Sequence, residues 1–299
     1  MASMSDDRAG DPDAWWLRRR IVAWYDANAR DLPWRAADAT PWGVLVSEIM
    51  LQQTPVARVL PIWTQWLQRW PTPAALAAEE PAAAIRAWAR LGYPRRALRL
   101  HAAARAIDDL HNGHVPSDEV VLRSLPGIGE YTAAAVTAFA FRRRSVVLDT
   151  NVRRVLGRIL RGQAIPASGV TKSERSEADA IVPTAGPAAA HWSVAVMELG
   201  ALVCTARSPD CAACPVRTRC RWFALGRPQP ADRRRSQGYE GTDRQARGRI
   251  LAVLRGADDP VAATELEPAW SIAEQRDRAL ASLLTDGLVV LDEGAYRLP

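Results

Sequence analysis

All four cysteines of the chain fall within seventeen residues, in the order Cys204-x6-Cys211-x2-Cys214-x5-Cys220. Nothing else in the sequence restricts the path of the backbone so tightly, because four thiols this close can be drawn round one centre. Reduced thiols are the rule inside cells, so a disulfide framework is not expected and a metal is. Structural zinc sites usually show two Cys-x2-Cys knuckles with a longer gap between them. Here there is one such pair, and the gaps of six and five suit a loop wound round a larger body. That favours a [4Fe–4S] cluster over a zinc ion. Arg207, Arg217, Arg219 and Arg221 edge the loop with positive charge, suited to a phosphate backbone.

The rest of the chain agrees with a polyanionic partner. Its net charge is +6, with a pI near 9.6, and Lys172 is its only lysine. A basic excess of this kind points to nucleic acid. With 48% hydrophobic residues in 299, the chain can bury a full core. No run of 18 apolar residues occurs, which argues against a membrane span. Residues 1–13, MASMSDDRAGDPD, carry neither a basic n-region nor an apolar h-region, so they read as a disordered leader and the protein as cytoplasmic.

Apolar residues recur at helical spacing from about residue 14 to residue 225, between Pro and Gly breaks, and no alternating strand interrupts them. The expectation is an all-α body. After an opening helix and one over TPWGVLVSEIMLQQT, helices are expected near 55–70, 94–111, 117–123, 130–141, 150–161, 172–183 and 187–203. Residues 226–242 are rich in Pro, Gly and Arg without periodicity, as a linker would be. Beyond it, DRQARGRILAVLRGAD, PVAATELEPAW and SIAEQRDRALASLLTDG read as three helices. LVVLDEGAYRLP then reads as a hairpin. Three helices and a two-stranded wing make residues 243–299 a small winged-helix-like module.

Within the body, SLPGIGEYTAAAVTAFAF (124–141) sets Gly127 and Gly129 in a turn directly before a long helix. Amides at such a helix start can take a phosphate oxygen, and glycine lets the phosphate come close. Seventeen residues on, VVLDTNVRRVLGRIL puts Asp149 at another helix start, where an N-cap is the ordinary reading. Glu48 sits among Val46, Ile49, Met50 and Leu51. A carboxyl in that company would have its pKa raised by desolvation, as a general acid requires.

Taken together, LPGIG, VVLDTNVRRV and the cysteine loop resemble the helix–hairpin–helix superfamily of DNA glycosylases over about residues 14–225. The resemblance implies a six-helix domain, about 35–148. It also implies a cluster domain made of the N-terminal helix and about 149–225, with Cys204, Cys211, Cys214 and Cys220 holding a [4Fe–4S] cluster. Of the two branches with this cysteine spacing, endonuclease III carries a Schiff-base lysine two residues beyond the second hairpin glycine. That place is Tyr131 here, and Lys172 is far along the chain. DLPWRAADATPWGVLVSEIMLQQTPV (31–56) instead looks like the N-terminal signature of MutY-type adenine glycosylases. A monofunctional enzyme is therefore implied.

By that resemblance Glu48 protonates adenine N7, and Asp149 stabilises the sugar cation left behind. Tyr131 and Asn151 orient these carboxyls and the attacking water. Gln52, Gln53, Thr54, Tyr93, Gly127, Gly129 and Arg153 contact DNA, and Trp34 and Arg35 line the adenine pocket. Pro94 departs from the family, which often has a second tyrosine there. The implied substrate is adenine opposite 8-oxoguanine or guanine in double-stranded DNA, acted on by a monomer in the bacterial cytoplasm, at the nucleoid. Many relatives continue into a larger domain that reads 8-oxoguanine; residues 243–299 look unlike it and resemble the short actinobacterial type. Two other readings stand beside this one. One is a thymine or uracil mismatch glycosylase on the same scaffold, and the other is a non-catalytic iron–sulfur DNA-binding protein.

Overall fold

Proline at a first helical turn, where its missing N–H costs nothing, opens much of this fold. Pro12, Pro41, Pro73 and Pro81 begin α1 (Pro12–Asn28), α2 (Pro41–Leu51), α4 (Pro73–Ala77) and α5 (Pro81–Ala87). Between α2 and α4 lies α3 (Val56–Arg69), and α6 (Arg95–His111) follows α5. Then come α7 (Glu119–Ser124), α8 (Glu130–Phe139), α9 (Thr150–Leu156), α10 (Lys172–Ile181), α11 (Gly186–Leu202) and the short α12 (Arg221–Ala224). The computed structural model describes residues 11–229 and 238–299. The leader up to residue 10, and the linker over 230–237, lie outside the described residues.

Residues 11–13 depart from the leader expectation. The Asp11 side chain accepts from the Asp13 amide and caps α1, which already begins at Pro12. The stretch between residues 70 and 94, where no helix was expected, holds α4 and α5. Both are too short to show a periodicity, though Thr72-Pro73 carries a start signal, the Thr72 hydroxyl accepting from Ala75 N.

The chain divides into two compact units, and the cut differs from the expected boundaries. Of the described residues, one comprises 11–44, 117–120 and 129–229. Its core joins Leu17 and Ile21 of α1, Val152 and Val155 of α9, and Trp192, Val196 and Leu199 of α11, all buried. Three of the cysteines pack at its margin.

The other unit comprises, of the described residues, 45–116, 121–128 and 238–299. Val59, Trp63 and Trp66 recur on the buried face of α3, and Trp66 meets Trp70 and Trp88 edge-on at 4.6 and 5.8 Å. The C-terminal residues cluster round a small core that α5 joins. Ile250 and Leu254 of α13 (Asp243–Gly256) and Leu283 of α14 (Ala273–Thr285) share it with Ala82 and Ile85 of α5. Arg255 Nε donates to Ile85 O at 3.1 Å, and Asp286 pairs with Arg95 at 3.2 Å. The helix expected over PVAATELEPAW is instead a strand, β1 (Val261–Ala262), and a 3-10 turn over Ala263–Ala269. With β2 (Val290–Asp292) and β3 (Ala295–Arg297) it forms an antiparallel sheet in the order β1-β3-β2. Among the described residues no helix is long and apolar enough to cross a membrane.

Candidate active site and metal centre

Asp149 is the N-cap of α9. Its Oδ1 accepts from Val152 N and its Oδ2 from Asn151 Nδ2, both at 2.6 Å. The cap explains the aspartate locally and also immobilises the carboxylate. Burial pushes its pKa above the ordinary value, while these hydrogen bonds and the charge of Arg154 oppose the rise. Tyr131, in the first turn of α8, packs against the small-residue cluster of Ala134, Ala138 and Val147.

Asn151 is itself held. Arg154 Nη2 donates to Asn151 Oδ1 and to Gly200 O, both at 2.7 Å, and Arg154 Nε donates to Cys204 O at 2.8 Å. Gly200 makes this approach possible. A Cβ there would lie 2.7 Å from Asn151 Cβ and 3.0 Å from Asn151 O. Alanine is favoured over glycine in a helix by about 1 kcal/mol, but backbone crowding decides the sign. Gly200→Ala is expected to cost about 1–3 kcal/mol and to slow the chemistry by displacing Asn151. Paired melting and single-turnover measurements check this; a variant more stable and as fast as the parent refutes it.

The start of the cysteine loop is held by a second buried arginine. Arg158 donates to Thr205 O at 2.8 Å and to Cys204 Sγ at 3.2 Å, and lies over the Trp222 ring at 4.4 Å. All four cysteines line one pocket, together with Val155, Leu199 and Trp222. Among the described residues no three His, Cys, Asp or Glu side chains are drawn together as ligands of one ion. The thiols therefore surround a space rather than meet at a point. Burial first, and then the neighbouring cysteines, push the Cys214 thiol up to about 11. Four soft thiol donors set round an apolar space, rather than at one point, fit an iron–sulfur cluster.

In the same unit, Trp34 is buried and Arg35 ends the 3-10 turn Pro33–Arg35. Arg35 Nη2 donates to Glu198 Oε2 at 2.8 Å, and Arg30 grips the same carboxylate through Nε and Nη2, each at 2.7 Å. Among the described residues the buried Nη1 of Arg35 meets no hydrogen-bond acceptor, and the guanidinium lies 5.8 Å from the centroid of the Tyr25 ring. Burial would raise the pKa of Glu198, which is 0% exposed, but Arg30 and Arg35 hold it down to about 2.

In the other unit, Glu48 lies on α2 and is 5% exposed, with Val46, Ser47, Ile49 and Met50 buried beside it. Glu48 therefore does not lie on a solvent face of α2. At the end of α2, Gln53 is exposed with φ +54°, and Gln52 is half-buried. Tyr93 is 51% exposed with φ +47°. Gly127 needs its glycine: φ is +75°, and a Cβ would lie 2.6 Å from Arg99 Cβ.

Two expected DNA contacts, Arg153 and Thr54, lie inside the fold. Arg153 is buried and bound to Glu174 Oε2 at 2.8 Å and to the Gly169 carbonyl at 2.6 Å, so its charge is spent inside the fold. Thr54 is buried too, its hydroxyl accepting from Arg96 Nη2 at 2.9 Å. Gly129 does not need its glycine for backbone shape, since its φ is −88°. Sequence reasoning missed Arg154, Arg158 and Glu198. Glu198 carried the same signal as Glu48, a carboxyl in an apolar helical run, VMELGAL.

The HhH-GPD superfamily model, described as base excision DNA repair proteins, matches residues 46–178. The adenine DNA glycosylase of Mycobacterium tuberculosis strain H37Rv is 51% identical over 93% of this chain and 92% of that one. That of Mycolicibacterium smegmatis is 52% identical over 90% and 91%. A thermostable thymine-DNA glycosylase superposes with TM-score 0.63 over 71% of this chain and 97% of its own, at 24% identity, which shows a shared fold alone. The chain belongs to the HhH-GPD superfamily of base excision DNA repair proteins, in its adenine DNA glycosylase family.

Proposed function

We propose that this glycosylase releases adenine mispaired with 8-oxoguanine or guanine in double-stranded DNA by hydrolysis alone, without a Schiff-base lyase step. The observation that carries the reading is the buried Glu48 on α2. Protonation of a purine nitrogen by a desolvated carboxyl makes the base a leaving group, and a pyrimidine glycosylase has no such use for it. The C1′–N9 bond then breaks toward an oxocarbenium-like sugar. The ionised Asp149 stabilises that cation, with Asn151 fixing its second oxygen. Water, oriented with the help of Tyr131, completes the hydrolysis. No amine stands at position 131, so the sugar is left abasic and uncut.

Gly129 supports a phosphate contact. Neither its φ nor crowding requires glycine, since an added Cβ would meet no protein atom within 4 Å, and no side chain caps α8. Close approach of a DNA phosphate to these amides accounts for it. Arg35, held by Glu198, and the buried Trp34 beside it would line the pocket of the extruded base. Cys204, Cys211, Cys214 and Cys220 would hold the [4Fe–4S] cluster, whose contribution when bound is to fix the arginine-edged loop. Residues 243–299 carry seven arginines against ten acidic residues, a poor composition for gripping DNA. Discrimination of the opposing base therefore rests on the remainder of the chain, as a monomer. The preference for 8-oxoguanine over guanine is expected to be smaller than in relatives with a dedicated reading domain.

The test is single turnover on end-labelled duplexes with one adenine opposite 8-oxoguanine, divided with and without hot alkali. Breaks only after alkali support the reading, and breaks without it overturn the hydrolytic step. Faster release opposite guanine than opposite 8-oxoguanine overturns the stated preference. Because burial raises the Asp149 pKa, the acid limb of the rate should lie above the ordinary aspartate value of 3.8. A pH–rate profile flat down to that value contradicts ionised Asp149 as the stabilising group.

A further inference from the structure

One buried side chain ties together the two turns that present Gln53 and Tyr93. Arg96 stands in the first turn of α6 and is 6% exposed. Its Nη1 donates to Ile49 O at 2.9 Å, Met50 O at 3.0 Å and Gln52 O at 2.6 Å, so it closes the carboxyl end of α2 and the turn after it. Its Nη2 donates to Thr54 Oγ1 at 2.9 Å and to Gly92 O at 3.0 Å, one residue before Tyr93. The Thr54 hydroxyl in turn lies 3.3 Å from Leu91 O. The guanidinium also sits 5.4 Å from the Tyr93 ring centroid and 5.2 Å from that of Trp88.

All five acceptors are neutral, although a buried cation is ordinarily matched by an anion. Burial lowers the Arg96 pKa to about 10, which leaves it charged at neutral pH. What arginine supplies here, and neither lysine nor an apolar residue could, is a flat fork whose two arms point at different turns. Both turns need such a hold. Gln53 and Tyr93 are non-glycine residues at φ +54° and +47°, a conformation that L-residues adopt at a cost and keep only when their surroundings impose it.

Resting on the reading that Gln53 and Tyr93 enter the duplex, we infer that Arg96 is a positioning residue that locks their two turns into one preformed wedge. The extruded adenine's place in the stack is then held by side chains already set at a fixed separation. No ordering has to occur on the DNA, so less of the binding energy is lost.

The test is a double-mutant cycle with the full chain on the duplex holding adenine opposite 8-oxoguanine. Arg96→Lys keeps the charge but loses the fork, and should slow single-turnover release about ten- to a hundredfold. In a Gln53→Ala/Tyr93→Ala background, where no wedge remains to be positioned, the same change should slow it by less than about threefold. Equal losses in both backgrounds would overturn the proposal and leave Arg96 a support for the fold or for α2. If Arg96→Lys does not fold, Thr54→Val, which removes one arm's acceptor at constant shape, is put through the same cycle with the same two outcomes. The parent serves as the control for the underlying reading: failure of the parent to release adenine sinks that reading before Arg96 is tested.

Discussion

Glu48→Gln should lower the single-turnover rate of adenine release by about 10²–10⁴-fold while the protein still folds and binds the mispaired duplex. The size of the loss follows from what the substitution removes. Glutamine keeps the volume of a side chain that is 5% exposed between buried neighbours, so no cavity forms. It adds no charge to an apolar site. What it cannot do is deliver a proton to a leaving base. Asp149→Asn makes the companion case, because asparagine caps a helix about as well as aspartate and the start of α9 should persist. If binding is retained and the rate is lost in both variants, the two carboxyls act in the chemistry. A Glu48→Gln rate within about threefold of the parent would remove Glu48 from the mechanism.

The sequence made the long helices and the chemistry of the carboxyls legible, because both are written in local pattern. Glu48 among apolar neighbours announced its burial, and Asp149 before a helix announced its cap. Arg153, Arg154 and Arg158 show why the rest was not. All three sit in VRRVLGR with nothing local to separate them, and all three are buried. Their partners, Glu174 and the carbonyls of Gly169, Gly200 and Cys204, lie 16 to 50 residues away along the chain. Arg96 is hidden in the same manner between Arg95, which is exposed, and Arg99, which lies over Gly127. A cationic chain invites each arginine to be assigned to DNA. Burial, which only the fold reveals, decides which ones are spent on holding loops.

Glu198 gives the largest stability effect among these hidden groups. Glu198→Ala should destabilise the protein by about 3–5 kcal/mol, because two guanidiniums converge on a carboxylate that is 0% exposed. Arg30 is one-third exposed and can turn to water, which favours the lower end; Arg35, 18% exposed, cannot turn so readily. The lowered pKa expresses the same two pairs. A drop from 4.5 to about 2 corresponds to about 3 kcal/mol. A carboxyl with a lowered pKa stabilises the fold fully above 4.5, and that contribution drains away as the pH falls toward 2. The gap between parent and variant in urea midpoint should therefore be wide at neutral pH and narrow through this window. A gap that stays constant would assign the loss to the cavity left by the side chain rather than to charge. The effect should also reach the chemistry: without Glu198, Arg35 loses the acceptor that orients it. Excision should then fall even at temperatures where Glu198→Ala remains folded, whereas Arg30→Gln, which leaves the Arg35 pair in place, should lose stability with little change in rate.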